Sequence, residues 1–318
     1  AEAYVRDVAL AMSDVHFVSE AGLTEADVLG LRGKFEQQGH RMWGAECTTR
    51  ASGCHTGTGS LVVVRSTVRA RPGDGLIYAR DDGKAIAVAL TYSGRPMYLL
   101  AAHLPANGSN NERVEFLESL AHDLADAVAE HLQSEHGGPW AHAGYTWAGD
   151  LNLTAHPLDD ESPSAQGAPN AEAMEALHQL DTVWGGAVDV HRRLFPQGRC
   201  YTHGTEAARD RRKLDSWRAP PADLAGLGGV VAFRRVPRDG VSFSYYDYRR
   251  RQQFHKASDH DMIQIVVRPT TFRAPPAKPT IRTWVLRTRE VRAWIRQRLG
   301  SMADACGGAI RSGCEGTE

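Results

Sequence analysis

Residues 144–157, GYTWAGDLNLTAHP, end an apolar run with a carboxylate and an amide that stand two residues apart. Residues 145–148 predict a strand, and Asp150 and Asn152 follow it directly. Side chains two apart on an extended chain point to the same face, so Asp150 and Asn152 can contact one object together. A phosphate, a metal ion or a water molecule is the object that such a pair would share.

Short apolar runs recur along the chain and predict further strands. With the first, they cover residues 15–18, 61–64, 85–90, 97–102, 145–148, 230–233 and 262–267. Apolar residues at helical spacing predict a helix after Thr24, through Val28, Leu31 and Phe35, and a second helix over residues 111–132. Strands with interspersed helices are typical of an α/β or α+β sandwich, in which two sheets pack face to face and helices cover the outside.

The bulk composition limits the classes of function. With 318 residues, of which 42% are hydrophobic, the chain can form one large domain with a sizeable core and a tail. A formal net charge of -1 excludes a globally basic nucleic-acid binder, so such binding must come from local patches. No run approaches the roughly 20 apolar residues of a membrane helix, so we expect no membrane partner. Five irregularly spaced cysteines argue against a secreted disulfide framework and favour an intracellular, reducing compartment.

A change in composition divides the chain. Prolines cluster in residues 269–280 and predict a linker there. We expect residues 1–268 to form the main domain. Beyond the linker, apolar residues at helical spacing with arginines among them predict a basic helical segment and flexible tail over residues 281–318.

Polar residues stand where several of the predicted strands end or begin. One such residue is usually only solvated, but a set of carboxylates, imidazoles and an amide in these positions indicates a site. The set comprises Glu20, His103, Asp150, Asn152, Asp215, Asp259 and His260.

The order of these motifs resembles the endonuclease/exonuclease/phosphatase superfamily, which has the DNase-I-like fold. The resemblance runs from about residue 14 to about residue 267, and its best motifs are GDLN at 149–152 and SDHDMI at 258–263. FVSEAGL at 17–23, LAAHLPAN at 100–107, and YTH at 201–203 followed by RRKLDSW at 211–217 resemble further motifs. The resemblance implies a four-layered α/β sandwich, with two packed mixed sheets flanked by helices, and makes residues 1–268 the catalytic domain of a metal-dependent phosphodiester hydrolase.

The resemblance also implies how the phosphate and the attacking water are handled. Glu20 is the implied metal ligand and Asp259 a second one, since Mg²⁺ prefers carboxylate oxygen, with Mn²⁺ as the alternative ion. Asp150 would orient or deprotonate the attacking water, and Asn152 would donate a hydrogen bond to the phosphate. An amide suits that contact because it cannot become negative.

Two histidines complete the implied site. His260 would donate to a phosphate oxygen, with Asp215 holding its ring in the useful tautomer. His103 stands where abasic-site and retroelement nucleases usually have tyrosine, as in the DNase-I-like and phosphatase branches. An imidazole there can serve as a general acid, but this difference leaves the substrate class open.

Basic residues precede two of the site motifs and predict contacts with a nucleic-acid backbone. Tyrosines next to the second group could stack on an unpaired base. The predicted contacts are Arg212 and Lys213, ahead of Asp215, and Arg249, Arg250 and Arg251, ahead of the Ser-Asp-His motif.

Both ends of the chain bear on its setting. The superfamily usually opens with a strand that ends in asparagine, and nothing before Glu20 matches it, so that strand lies upstream of Ala1 or has been lost. Residues 279–299, PTIRTWVLRTREVRAWIRQRL, resemble the segment that joins an endonuclease domain to a reverse transcriptase in non-LTR retrotransposons.

The favoured hypothesis is therefore the endonuclease domain of such a polyprotein, truncated at its N-terminus, which nicks DNA in the nucleus and is followed by a reverse transcriptase. The alternatives are an RNA-cleaving enzyme, a phosphatase acting on phospholipid or inositol phosphate headgroups, and a decayed copy without catalysis.

Overall fold

The computed structural model describes residues 14–19, 25–44, 59–105, 109–134, 138–160, 170–203, 211–226, 230–236, 242–247, 252–257 and 262–267. All of them fall in residues 1–270, one of the two units into which the chain divides. They contain thirteen strands and five α-helices. The predicted linker over residues 269–280 and the predicted helical segment over residues 281–318 lie outside the described residues.

The smaller of the two main sheets has three antiparallel strands. They are β1 (Val15–Val18), β2 (Arg41–Gly44) and β3 (Leu61–Val64), and their order is β1-β3-β2. The larger sheet has six strands, β4 (Gly75–Ala79), β5 (Ala85–Tyr92), β6 (Arg95–His103), β7 (Gly144–Asp150), β8 (Val188–Asp189) and β9 (Asp215–Ala219). Their order is β4-β5-β6-β7-β9-β8, and the sheet is mixed because β6 and β7 are parallel while the other neighbours are antiparallel.

Two strand pairs follow the larger sheet in the chain. The strands are β10 (Val230–Val236), β11 (Ser242–Asp247), β12 (Gln252–Ala257) and β13 (Met262–Val267). β10 pairs with β13 and β11 pairs with β12, both antiparallel.

The helices are α1 (Glu25–Gln37), α2 (Asn110–Gln133), α3 (Ala171–Val183), α4 (Val190–Leu194) and α5 (Pro221–Gly226). α2 joins the parallel strands β6 and β7 and begins with a capping box, in which Ser109 and Glu112 each satisfy a backbone N–H of the other. None of the helices in the described part of the chain combines the length and apolarity that a membrane crossing needs.

Three groups of buried apolar side chains separate four layers. α1 packs on the outer face of the smaller sheet, where Val28 and Phe35 meet Leu61 and Val63. The alternate residues of β3 face the larger sheet, because successive side chains of a strand point to opposite faces. The other face of the larger sheet is covered by α2 and α3. The predicted four-layered α/β sandwich is confirmed.

The seven predicted strands all lie within observed strands, and both predicted helices are confirmed. A cavity of about 190 Å³ remains between the two sheets. It is lined by Val15 and Phe17 of β1, by β13, and by residues of the larger sheet that include Trp217 and Ala219. Phe17 and Trp217 meet edge to face across the gap, with ring centroids 5.1 Å apart.

Candidate functional site

Three of the predicted site residues lie side by side across the larger sheet. Asp150 is the last residue of β7, and it pairs with His103 at the end of β6 and with Asp215 at the start of β9. Directly opposite residues of neighbouring strands project from the same face, about 5 Å apart. The strand register therefore places His103, Asp150 and Asp215, far apart in sequence, in one row.

The row opens toward the smaller sheet at the edge of the sandwich. Leu99 and Ala101, which precede His103 at alternate positions of β6, belong to the core between the sheets. On β9, Trp217 lines the cavity between the sheets, and Asp215 lies two residues before it. Alternation along each strand therefore puts the row on this inner face, at the end where β6 and β7 stop.

Gly149 allows β6 and β7 to approach each other beside the row. A Cβ at this position would lie 1.7 Å from the backbone oxygen of Ala102, its partner on β6. No side chain fits that space. The glycine of the GDLN motif thus has a packing reason: it lets Asp150 align with His103.

Asn152 closes a tight turn over the row. Its φ of 45° lies in the left-handed region, which asparagine tolerates better than most residues. Its backbone N–H donates to Oδ1 of Asp150 at 2.8 Å, and its side-chain nitrogen donates to the oxygen of Leu104 and contacts Nε2 of His103, both at 2.9 Å. The turn thus joins Asn152 to two of the three residues of the row.

These contacts assign the state of the His103 ring. An amide nitrogen donates and does not accept, so Nε2 of His103 accepts the hydrogen bond from Asn152. With Nε2 as the acceptor, the tautomer that fits this contact carries its proton on Nδ1. His103 is 4% exposed, and its Nε2 lies 3.9 Å from Oδ2 of Asp150.

Asp215 is half-buried, and its backbone is fixed by a residue whose role the sequence did not reveal. The hydroxyl of Thr202 accepts the N–H groups of both Leu214 and Asp215 at 3.1 Å. Leu151 then donates to the oxygen of Leu214 at 2.8 Å, which ties the GDLN turn to β9. Thr202 is the middle residue of the YTH motif, and its place in that motif was the signal available in the sequence.

The two basic residues ahead of Asp215 differ in exposure. Arg212 is half-buried, with its Nε 3.7 Å from Oδ2 of Asp160, and its contact with nucleic acid stays a prediction. Lys213 is 4% exposed, and its ammonium pairs with Asp189 and lies 4.0 Å from Oδ2 of Asp159. Carboxylates enclose that ammonium inside the protein, so the predicted nucleic-acid contact of Lys213 does not fit the structure and is corrected here.

Burial shifts the pKa values of the groups around Lys213. For Asp159, burial raises the pKa and outweighs the opposing attraction of Lys213 and Arg192. Burial also acts to raise the pKa of Asp189, but the attraction and hydrogen bond of Lys213 reverse the balance and lower it. Burial, and next the charge of Lys213, lower the pKa of His191 to about 4. At neutral pH, His191 is therefore uncharged.

The remaining predicted site residues lie outside the described residues. They are the metal ligands Glu20 and Asp259, the catalytic His260, and the basic residues Arg249, Arg250 and Arg251. Their roles stay predictions.

The described end of β1 does approach the row. Asp14, just before β1, accepts from the hydroxyl of Tyr92 at the opposite end of the larger sheet's strands, whereas Phe17 packs on Trp217, two residues from Asp215.

The described residues hold part of an oxygen-rich donor set. Among them there is no group of three or more His, Cys, Asp or Glu side chains able to hold a metal ion. The row does supply the carboxylates of Asp150 and Asp215, which are the hard donors that Mg²⁺ prefers. Their chemistry is compatible with a nearby Mg²⁺, whose predicted ligands, Glu20 and Asp259, lie outside the described residues.

No family model matches the chain, and neither does any curated protein. Among solved structures, it is similar to an AP endonuclease from Archaeoglobus fulgidus, with 18% identity and a TM-score of 0.54 over 81% of this chain and 90% of that one. It is also similar to the 3′-5′ exonuclease NExo from Neisseria meningitidis, with 15% identity and a TM-score of 0.56 over 81% of this chain and 91% of that one. A variant of NExo from Neisseria, described as a 3′ phosphatase and bound to a product DNA hairpin, matches at 14% identity and a TM-score of 0.55, over 81% of this chain and 91% of that one. At these identities the similarity shows the fold, which is the DNase-I-like α/β sandwich.

Proposed function

We propose that this chain is a Mg²⁺-dependent phosphodiester hydrolase that nicks DNA. The row of His103, Asp150 and Asp215, joined by Asn152, carries the proposal. The similar structures support it, since they are an AP endonuclease and two structures of NExo, described as a 3′-5′ exonuclease and as a 3′ phosphatase bound to product DNA. Cleaving a phosphate ester requires a base for water, a donor to the phosphate and an acid for the leaving oxygen, and the row offers a group for each.

Asp150 is the proposed base. Its Oδ1 accepts the backbone N–H of Asn152, which fixes the orientation of the carboxylate at the centre of the row. A fixed carboxylate next to the bound phosphate would orient the attacking water and take its proton.

Asn152 and His103 are proposed to act in sequence. The amide of Asn152 donates to Nε2 of His103, and an incoming phosphate oxygen would replace that acceptor. Nε2 of His103 would then be released to take up a proton from solvent and deliver it to the leaving oxygen, while Asp150 returns the proton of the attacking water to solvent. The hydrogen bond from Asn152 would therefore keep Nε2 of His103 from taking up a proton until the substrate is bound.

The proposed ion is Mg²⁺, with Mn²⁺ as its substitute, and the proposed ligands are Glu20 and Asp259. A bound ion would neutralise charge on the phosphoryl oxygens. The direction of β1 supports a role for Glu20, because β1 leads toward the edge of the row and Glu20 follows two residues after its end. His260, whose ring Asp215 would orient, is the proposed donor to a second phosphate oxygen.

The proposed setting is the endonuclease part of a non-LTR retrotransposon polyprotein, acting in the nucleus ahead of a reverse transcriptase. The resemblance of residues 279–299 supports it. Arg212 and the arginines at 249–251 would supply the contacts to the DNA backbone.

Nicking of supercoiled plasmid tests the proposal. The purified chain should nick with Mg²⁺ and not with chelator, and Asp150→Asn should remove nicking while retaining DNA binding, because it replaces a base by an amide of the same size. Asp126→Asn is the matched control, because it makes the same chemical change at an exposed position on α2. Nicking by Asp150→Asn at the rate of the unsubstituted chain would contradict the assigned base.

A phosphatase is the second candidate, and His103 favours it. The phosphatase branch of the superfamily resembles this chain in having histidine at that position. Release of inorganic phosphate from 3′-phosphorylated DNA and from inositol phosphates, compared with plasmid nicking, would separate the two functions.

A further inference from the structure

Lys213 links segments on two sides of the site by buried contacts. Its ammonium pairs with Asp189 and lies 4.0 Å from Oδ2 of Asp159, while its backbone N–H donates to the oxygen of Asp159 at 2.7 Å. Only 3% of its side chain is exposed. A lysine in a basic run usually points to solvent, so this burial calls for a function of its own.

The two carboxylates belong to different parts of the chain. Asp159 lies in the segment that follows Asn152, and Arg192 of α4 also pairs with it. Asp189 caps α4 by accepting the N–H of Arg192 at 3.0 Å, and it accepts the hydroxyl of Ser216 at 3.1 Å. One network therefore joins the segment of Asn152, the start of α4 and the strand that begins with Asp215.

Burial favours a fixed arrangement of this network. A charge removed from water is costly unless it is paired and hydrogen-bonded, so each charged partner restricts the position of the others. An exposed pair would permit the segments to move, because water can replace either partner. Misplacing reacting groups by about 1 Å can cost about 100-fold in rate, so the network lies where rigidity matters.

We propose that Lys213 is a positioning residue: its ion pairs with Asp159 and Asp189 hold the Asn152 turn against the strand that carries Asp215. Lys213 contacts no substrate in this role. The proposal rests on the proposed function of the site.

Lys213→Met tests the proposal by separating turnover from binding. The substitution keeps an unbranched side chain that is one atom shorter and removes its charge. We expect kcat for nicking to fall about 10- to 100-fold, with KM within about 3-fold and the salt dependence of DNA binding unchanged. If Lys213 instead contacted a phosphate, the salt slope would fall by about 1 and KM would rise, which would overturn the proposal. Arg212→Met, at the half-buried neighbour, serves as the comparison for a change in slope.

Restoring charge balance provides the second variant. Lys213→Met leaves Asp189 buried without its cation, and adding Asp189→Asn removes the unpaired charge. We expect the double variant to recover at least about 3-fold in kcat over the single variant. A double variant slower than the single one would overturn the proposed ion-pair role.

A readout without turnover separates this proposal from the proposed function. The ¹⁵N NMR signals of the His103 ring report whether Nε2 accepts from Asn152. We expect Lys213→Met to shift them and the exposed control Asp126→Asn to leave them in place. A folded chain that never nicks DNA, with His103 signals that still respond to Lys213→Met, would overturn the proposed function only. An unchanged His103 spectrum in folded Lys213→Met would overturn the positioning role.

Folding itself is covered by a further variant. If Lys213→Met does not fold, Asp159→Asn replaces it, because it weakens the same link without changing size. Failure of both to fold would also overturn the proposal, since the ion pairs would then serve the fold as a whole.

Discussion

Two polar clusters lie on the same pair of strands, β7 and β9, but on opposite faces of the larger sheet. The site row (His103, Asp150 and Asp215, with the Asn152 turn) faces the smaller sheet. The Asp181 cluster (Trp147, Asp181 and Arg218) faces the helices.

In the Asp181 cluster, Asp181 of α3 accepts from Nε of Arg218 at 2.8 and 3.1 Å and from Nε1 of Trp147 at 3.1 Å. All three residues are at most 8% exposed.

The Asp181 cluster serves the stability of the fold, whereas the site row is the proposed site of chemistry. Asp181 of α3 accepts hydrogen bonds from β7 and β9 and so holds that helix on the larger sheet. These hydrogen bonds serve the stability of the fold. In the site row, the proposed function would exchange the bond from Asn152 to His103 for one to a phosphate, and Asn152 makes that bond from an uncommon backbone conformation. Substitutions in the Asp181 cluster should therefore lower stability, and substitutions in the site row should lower activity.

Arg218→Met should have the largest effect, because it leaves the carboxylate of Asp181 buried without its cation. We expect the free energy of unfolding to fall by about 3–5 kcal/mol, with the activity of the folded fraction unchanged. Urea denaturation measures the loss. Arg65→Met is the control, since the pair between Arg65 and Asp14 is at the surface at 3.5 Å and should contribute less than about 1 kcal/mol. Similar losses in the two variants would show that burial does not distinguish the Asp181 cluster.

Asn152→Gly should produce the opposite result. Glycine adopts the positive φ of this turn without strain, so the substitution removes the amide donor and preserves the backbone. Losing one donor to a transition-state oxygen costs about 100- to 1,000-fold in kcat, while we expect stability to change by no more than about 1 kcal/mol. Nicking rates and urea denaturation of the same preparation measure both. A large loss of stability with retained turnover would make the site row a second structural cluster.

Lowering the pH should reduce the free energy of unfolding through protonation of His191. Its folded pKa is lowered to about 4 from 6.5, so below pH 6.5 the unfolded chain binds a proton that the folded chain does not. The free energy of unfolding should therefore be unaffected by His191 above pH 6.5 and fall between pH 6.5 and about 4, at about 1.4 kcal/mol per pH unit and by up to about 3 kcal/mol in all.

His191→Gln should flatten this part of the pH profile of urea denaturation. His122→Gln, at an exposed position on α2, should leave it unchanged. If the free energy of unfolding fell equally with pH in the unsubstituted chain and in both variants, His191 would not cause the loss of stability in acid.

The two clusters also differ in how far the sequence revealed them. Two residues of the site row, His103 and Asp150, could be predicted because they stand at the ends of apolar runs, within short motifs such as GDLN, whereas Asp215 was indicated by the motif resemblance alone. The Asp181 cluster could not, because Asp181 and Arg218 are 37 residues apart and meet only through the packing of α3 on β9.

β9 itself was missed as a strand for the same reason. Its sequence, DSWRA, alternates buried polar residues with distant partners and contains no apolar run. Lys213 was misplaced because a sequence shows a basic run but not the carboxylates that enclose one of its members.

The smallest predicted effect compares the packing of the two faces of the larger sheet. Ala219 lines the cavity of about 190 Å³ on the face of the site row, whereas Ala87 is fully buried against the helices on the face of the Asp181 cluster. Ala219→Val places two carbon atoms into open space and should raise the free energy of unfolding by up to about 1 kcal/mol. Ala87→Val adds the same atoms to a filled core and should lower it by about 1–3 kcal/mol. Equal losses of the free energy of unfolding would show that both faces of the larger sheet are packed alike. The two clusters would then differ only in their side chains and not in the packing around them.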